Sequence, residues 1–436
     1  MIDPKVILEN PKLVEENNKR RGKKIKVSTA KDLLASRAKL IGIVEKLRAE
    51  GNAVAAKIPK ADKKEKTGLI AEGKRIKEQV KDVEAQLKVA EEALDHELRQ
   101  YPNILHPDVP VGKDETENKV IRSWGKKPAF SFKPKDHLAL GEALGIIDME
   151  RAAKVSGARF AYLKGDAVLL EFALMQYAFS ILTSESELAQ IAAKVGKGHP
   201  AKPFVPVLPP VMIRPEVFRR MARLTDEDKD ERYYLPQDDL YLIGSAEHTL
   251  GSMYMDETLP EENLPLRYVG FSTSFRREAG SYGKDMRGIL RVHQFDKLEM
   301  ESFCLPEQSE QEQDFFVAIQ ERLLQGLQLP YQVVMICTGD MGKPDARQID
   351  IETWMPGQER YRETHTADLM TDFQARRLNT RVKRKKGNQF VHTNDATVFA
   401  GRTIIAILEN YQQKDGSVVV PEVLRLWIGK DVISSS

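Results

Sequence analysis

Two stretches of the chain carry residue types that could handle a phosphorylated substrate. The first, Phe275 to Glu299, reads FRREAGSYGKDMRGILRVHQFDKLE. It begins and ends like a strand, around a loop rich in glycine and charge from Gly280 to Gly288. Arg276 and Glu278 flank Arg277, so strand alternation predicts that the outer two share a face. Arg291, Phe295 and Glu299 recur at four-residue steps, which predicts one face of a returning strand. Arginine can grip phosphate through a fork of N–H donors. A phenyl ring can stack on a base, and a carboxylate can accept from an ammonium. A surface hairpin with ordinary ion pairs would use the same residues. The second stretch is Gly401 to Gly429, GRTIIAILENYQQKDGSVVVPEVLRLWIG. Arg402 opens a helix whose apolar residues are Ile404, Ile405, Ile407 and Leu408, and Glu409 and Asn410 end it. Gly416 marks a turn, and Pro421 stands where proline favours the start of another helix. An arginine at a helix start can serve a phosphate there, assisted by exposed amides. A solvated arginine is the commoner reason for one at that place.

Something must hold these stretches. Residues 1–110 differ in composition from 111–436. Between Thr29 and Gln100 there is no Trp, Phe or Tyr, and Lys, Glu and Ala dominate. Leu40, Val44, Leu47, Val54 and Ile58 follow steps of four and three, as do Ile76, Val80, Val83, Leu87, Ala90 and Leu94. That seam predicts two helices packed as a coiled coil. Pro59 and the lysines after it break the pattern, so the helices form an antiparallel hairpin over about 28–100, with arms of roughly 40 Å. The tip carries Lys57, Lys60, Lys63, Lys64 and Lys66. They suit a solvated turn, or a tip that grips nucleic-acid phosphates by charge. Pro102, Pro107, Pro110 and Gly112 mark a linker. Beyond it, Leu169 to Ser184 reads as a buried helix, and Leu264 to Phe275, Leu290 to Phe303 and Tyr331 to Cys337 read as strands. The succession predicts an α+β fold with a mostly antiparallel sheet.

With 436 residues, the chain is long enough for two or three domains. Its net charge of +2 says nothing about nucleic acid, so any basic footprint must be local. Cys304 and Cys337 have no metal-ligand spacing around them, which fits a reducing compartment and gives no reason to expect zinc. No signal-peptide core and no run of about 18 apolar residues is present, so a cytoplasmic protein without membrane partners is expected. No GxGxxG or P-loop suggests a Rossmann-type nucleotide site.

The first stretch closely resembles motif 2 of the class II aminoacyl-tRNA synthetases (275–299), and the second resembles motif 3 (401–429). More narrowly, the chain resembles the seryl-tRNA synthetase family of bacterial type. RFAYLKGDAVLLEFALM from Arg159 to Met175, TGDMG from Thr338 to Gly342, WMPGQ from Trp354 to Gln358, Tyr361 to Glu363, and DFQARR from Asp372 to Arg377 recur there in the same order. The resemblance implies an antiparallel-sheet catalytic domain flanked by helices, preceded by a tRNA-binding coiled-coil arm. Lys202 to Met212 resembles motif 1, with Pro210 at the interface of an expected homodimer.

By the same resemblance, Arg276 would clamp the α-phosphate and the serine carboxylate, and Arg402 the far phosphate. Arg277, Glu278, Arg291, Val292 and Phe295 would form the nucleotide site, with Phe295 stacked on adenine. Glu363, with Thr364, His365 and Thr366 after it, would meet ATP, and Glu363 and Thr366 would hold Mg²⁺. Glu299 would take the serine ammonium, beside the loop Ser245-Ala246-Glu247. The reaction implied is ATP-dependent activation of L-serine and transfer to tRNA(Ser), and the family also admits tRNA(Sec). Three departures touch the site. Ser245 replaces the usual threonine. Thr364-His365-Thr366 replaces an aliphatic residue and two serines, and His365 is read chiefly as a neutral residue beside the site. His392 to Thr397 replaces a longer Asn-Gly-Ser stretch, where Thr397 is the chosen contact for the substrate hydroxyl and Asn394 the alternative. These departures keep two other readings in view: an adenylating ligase with altered amino-acid or acceptor specificity, and a non-catalytic tRNA-binding paralogue.

Overall fold

A computed structural model describes residues 1–225, 229–278 and 288–435. It divides into two compact units, Met1–Ile104 and Leu105–Ser436. Residues 105–110, grouped above with the N-terminal region, lie with the second unit. There the amide of His106 donates to Ala346 O at 2.9 Å, and the amide of Thr338 donates to Pro110 O at 3.0 Å.

The first unit consists of α1 (Pro4–Glu9), α2 (Pro11–Arg20) and two long antiparallel helices, α3 (Val27–Lys57) and α4 (Lys63–Leu98). The 4-3 seam is what packs. Val44, Val54, Ile76 and Leu94 are buried, and the other seam positions are half-buried. Gly51 fills the seam step that the apolar count skipped; a Cβ there would lie 3.4 Å from Ile76 Cγ2. Arg37–Glu91 at 3.0 Å and Arg48–Glu84 at 2.6 Å bridge the helices, but these pairs are largely exposed and set register more than stability. Pro59 sits in a single 3-10 turn, Ile58–Lys60. Asp62 then caps α4, accepting from the amides of Lys64 and Glu65 at 2.9 Å.

The second unit is built on an eight-stranded sheet. Its strands in chain order are β1 (Lys119–Trp124), β2 (Val205–Val207), β3 (Leu266–Phe275), β4 (Gln294–Cys304), β5 (Tyr331–Met335), β6 (Arg347–Met355), β7 (Arg360–Thr371) and β8 (His392–Ala400). They lie in the order β1-β5-β6-β7-β8-β4-β3-β2, and every pairing is antiparallel except β2 with β3. The expected α+β class with a mostly antiparallel sheet is therefore what forms. The buried helix α5 (Asp166–Leu182) starts three residues earlier than its apolar run, directly after Gly165 at φ +52°. It packs with α7 (Ser309–Gly326) into the core that covers one face of the sheet. Two short helices matter for the other face: α6 (Glu247–Leu250) and α8 (Gly401–Asn410). Among the described residues, no single helix is long and apolar enough to cross a membrane.

Besides the pairing of β2 with β3, a buried arginine anchors the start of the Lys202–Met212 segment. Arg267 on β3 is 1% exposed. It donates to both oxygens of buried Glu312, at 2.6 and 2.8 Å, and to the carbonyls of Pro200 and Lys202 at 2.9 Å. Beyond that anchor the segment turns an apolar edge outward: Val205, Leu208 and Met212 are exposed, as is Pro210. Replacing Arg267 with Met would remove the guanidinium from buried Glu312 and leave it only His199 Nε2, 3.3 Å away, and breaking a buried pair in this way typically destabilises by about 3–5 kcal/mol. Urea unfolding of Arg267→Met should show a loss of that size, and a loss under about 1 kcal/mol would contradict the anchor.

Candidate active site

The open face of β4, β7 and β8 forms the floor of a cleft of about 260 Å³, whose walls are α6, the turn after β3, the start of α8 and the segment before β4. A close approach brings α6 in. A Cβ on Gly270 of β3 would lie 2.6 Å from Leu250 Cδ1 and 3.4 Å from Ala246 Cβ. Only glycine lets Ser245-Ala246-Glu247 settle against the strand position that faces Glu299.

Arg276 and Glu278 reach the cleft by a different route from strand alternation. β3 ends at Phe275, and Glu278 adopts a left-handed backbone at φ +53°. The turn is held by Arg276 N to His293 O at 3.0 Å, and His293 Nδ1 lies 2.9 Å from Arg276 O. Arg276 Nε donates to Gly244 O at 3.1 Å, and its guanidinium carbon lies 5.3 Å from the Phe295 ring centre. Arg291 precedes β4 rather than lying on it, and it pairs with Glu278 at the cleft wall. Val292 and Phe295 line the same wall. Arg277 turns away: its amide donates to Glu231 O at 3.0 Å, and its guanidinium stands 5.6 Å from the Tyr233 ring. Most of the predicted loop Gly280–Gly288 lies outside the described residues.

On the opposite side, a bulge sets the geometry. Glu363 pairs with Glu352 and His365 with Ile351, so Thr364 is an extra residue in β7. Glu363, Thr364 and Thr366 all line the cleft as a result. His365 goes to the core, fully buried, with Nδ1 2.8 Å from Thr364 Oγ1 and its ring 5.9 Å from Phe399. Burial lowers its pKa to about 4, so it is neutral and stands apart from the nucleotide side to which the sequence reading assigned it. Arg402, in the first turn of α8, donates to Glu363 O at 2.9 Å and pairs with its carboxylate at 3.2 Å. Partial desolvation within the cleft raises the Glu363 pKa, but Arg402, with Arg276 and Lys297 behind it, outweighs this and holds the net value low. The side chain remains 53% exposed to the cleft.

Below this lies a floor of buried carboxylates. Glu247, Glu299 and Asp395 bring oxygens within 4.8 Å of one another. Arg223, which no motif singled out, pairs with Glu247 at 2.9 Å and with Asp395 at 3.5 Å. Burial pushes the Glu247 pKa up, yet Arg223 and the other cations around it bring it down to about 2. Glu299 is the reverse case: burial dominates, the Lys297 ammonium touching it only partly compensates, and its pKa rises to about 7. Burial likewise drives Glu301, Asp368 and Asp395 well above the ordinary carboxyl range. Lys297 also donates to Ser245 Oγ at 3.1 Å. Neither Lys297 nor Arg223 was among the sequence candidates. Strand alternation between Phe295 and Glu299 offered a signal for Lys297; nothing local offered one for Arg223.

The two candidates for the hydroxyl contact separate cleanly. Thr397 pairs with Glu299 across the strands and lines the cleft. Asn394 faces the other side of β8, donating to Ser309 O of α7 at 3.0 Å. It is part of the packing under the sheet, as the odd separation of three positions along the strand dictates.

An antiparallel sheet carrying an arginine after one strand, a second arginine at a helix start and a carboxylate between them defines a class II aminoacyl-tRNA synthetase core. Residues 231–411 match the family described as "tRNA synthetase class II core domain (G, H, P, S and T)". Residues 1–105 match the "Seryl-tRNA synthetase N-terminal domain". A serine–tRNA ligase of Thermodesulfovibrio yellowstonii is 41% identical over 99% of this chain and 100% of its own length. The crystal structure of seryl-tRNA synthetase from Pyrococcus horikoshii complexed with ATP superposes with a TM-score of 0.88 at 38% identity, covering 100% of both chains. The cytoplasmic serine–tRNA ligase of Naegleria fowleri in complex with AMP gives 0.84 at 29% identity, over 100% of this chain and 99% of that one. The chain belongs to the serine–tRNA ligase family.

The shifted Glu299 predicts a pH signature. In the unfolded chain this carboxyl ionises from its ordinary value upward, whereas in the fold it keeps its proton to about pH 7. Its contribution to stability is therefore greatest below the unfolded value and is lost as pH rises between the two. Glu299→Gln should flatten the decline in melting temperature between about pH 5 and 7. An unchanged slope would place the titration elsewhere.

Proposed function

We propose that this cleft activates L-serine with ATP and that the chain transfers the seryl group to the 3′ end of tRNA(Ser), with tRNA(Sec) as a further acceptor. The observation that carries the reading is the convergence of Arg276, Glu363 and Arg402 around Phe295, directly above buried Glu299. Adenine stacks on Phe295 beside Val292, with Glu278 and Arg291 at the edge of the base. Arg276 spans the α-phosphate and the serine carboxylate. Arg402 takes the far phosphate. Glu299 accepts from the serine ammonium, Thr397 meets the side-chain hydroxyl, and Ser245-Ala246-Glu247 close the pocket. A serine carboxylate oxygen attacks the α-phosphorus in line, the bond to pyrophosphate breaks, and pyrophosphate leaves. No protein nucleophile is required; positioning and fixed positive charge lower the barrier.

The side chains suit Mg²⁺ arriving with ATP. Glu363 is anionic and open to the cleft, and Thr366 offers a hydroxyl oxygen close by, both hard ligands. Magnesium bound there would neutralise charge on the phosphates. Thr366 also donates to Asp350 at 2.6 Å, an interaction that keeps its oxygen turned in a fixed direction.

The arm supports the acceptor reading. Lys63, Lys64 and Lys66 crowd the first turn of α4, where the helix dipole disfavours cations. Together with exposed Lys57 and Lys60 they form a phosphate-gripping tip, Mg²⁺–ATP and serine being handled elsewhere. The exposed apolar edge at Val205, Leu208, Pro210 and Met212 suits a homodimer interface, and the two buried free cysteines suit the cytoplasm.

The test is amino-acid-dependent exchange of labelled pyrophosphate into ATP, with serine, threonine, alanine and glycine side by side. Serine should exceed each of the others by at least about 100-fold, because a site that hydrogen-bonds a hydroxyl rejects analogues that lack or crowd it. Arg276→Ala should abolish exchange and leave tRNA binding intact. Faster exchange with another amino acid, or none with any, would overturn the reading.

A further inference from the structure

The serine reading leaves Lys297, a cation of the cleft, without a task. Lys297 lies between Phe295 and Glu299 on β4 and lines the cleft. Its ammonium touches the Glu299 carboxylate and donates to Ser245 Oγ at 3.1 Å. The Lys297 side chain is 8% exposed, and that of Glu299 is 0% exposed. Among the described residues Glu299 has no other ion pair, and neither of its oxygens receives a well-formed hydrogen bond.

We infer that Lys297 is the resident occupant of the substrate-ammonium site, and that amino-acid binding drives its own ammonium across the cleft to the reacting carboxylate and α-phosphate. The inference rests on the reading that Glu299 takes the serine ammonium. Once ionised, a carboxylate buried this completely needs a cation whether or not substrate is present. In the empty site Lys297 supplies it. A second ammonium cannot share so small a space with the first, since like charges at contact repel strongly away from bulk water. One must leave, and the lysine is the one on a flexible four-carbon stem.

The direction of its departure is set by the charges around it. Behind Lys297 the floor is crowded with Arg223, paired to Glu247 and Asp395. Ahead is the cleft, where Glu363 and the phosphate side already feel the lysine's field. The incoming serine also brings a carboxylate, and ATP brings the α-phosphate, so the displaced cation finds new anions within reach. No bond to Lys297 forms or breaks. The carboxylate oxygen bonds to phosphorus, the bond to pyrophosphate breaks, and the lysine N–H groups face the oxygens on which charge accumulates. Substrate binding thus delivers a positive charge to the reaction centre, which an empty site withholds.

The experiment is a pair of crystal structures of the full chain, without ligand and with a non-hydrolysable seryl-sulfamoyl adenosine. The expected result is Lys297 Nζ on Glu299 in the first. In the second, the ligand ammonium sits on Glu299 and Nζ lies within hydrogen-bond distance of the sulfamoyl or carbonyl oxygens. Nζ still on Glu299 in the complex would overturn the inference. Failure of the analogue to bind at all would instead remove the serine reading beneath it. Kinetics give a second readout. Lys297→Met should lower kcat of serine-dependent exchange by roughly 100-fold, the scale of losing one charge-stabilising donor. Its KM for serine should stay level or fall, because the competitor is gone, and Lys297→Arg should restore part of kcat. A rise in KM with kcat preserved would assign Lys297 a merely structural role and contradict the exchange of places.

Discussion

Buried negative charge is the constraint on which this molecule turns. Glu247, Glu299, Glu301, Asp368 and Asp395 all lie under the cleft, and each is nearly or fully out of solvent. Ionised carboxylates in such surroundings persist only when cations or protons accompany them. Arg223 and Lys297 supply part of the balance, and raised proton affinity at Glu301, Asp368 and Asp395 supplies the rest. The floor is thus selective for what can complete it: a compact cation with a hydrogen-bonding tail. Above it the sign reverses. Arg276 and Arg402 face a cleft whose one open carboxylate among the described residues, Glu363, is already engaged by Arg402. A zwitterionic amino acid and a polyphosphate fit this vertical arrangement in one orientation only.

The sheet holds the layers apart through a few local devices. Gly270 lets α6 approach closely enough to set Glu247 beside Glu299. The extra residue Thr364 turns β7 so that Glu363 and Thr366 face the cleft while His365 fills the core. Beyond the end of β3 at Phe275, the turn through left-handed Glu278 leaves Arg276 against the Phe295 ring. The last two are breaks in strand regularity, and all three fall at the site.

Those breaks also mark where the sequence stopped being legible. The seam of the arm could be read position by position, because its apolar spacing follows directly from helix geometry. The helix opened by Arg402 was equally plain, and so was the strand from Phe295 to Glu299. Strand alternation carried Arg276 and Glu278 to the right cleft by the wrong path, since a left-handed turn rather than a strand unites them. The resemblance grouped His365 with the ATP contacts, while its reading as a neutral residue beside the site agrees with the bulge that turns it into the core; the shorter stretch before the last strand left Asn394 and Thr397 as alternatives, although one lies under the sheet and the other above it. Strands β6, β7 and β8 carry buried Asp, Thr and His among their apolar residues, and that mixture hid their period. Arg223 could not be foreseen at all: its partners come from α6 and β8, far along the chain.

If the compensation of buried charge is what makes this floor, Arg223 and Glu247 should be energetically inseparable. The direct measurement is a double-mutant cycle of Arg223→Met and Glu247→Gln, followed by urea unfolding. Arg223→Met alone should destabilise strongly, by about 3–5 kcal/mol, because it strands a buried carboxylate. Adding Glu247→Gln should recover part of that loss, giving a coupling energy of at least about 1 kcal/mol. Additive effects would contradict the account, since the floor would then stand without its balancing charge.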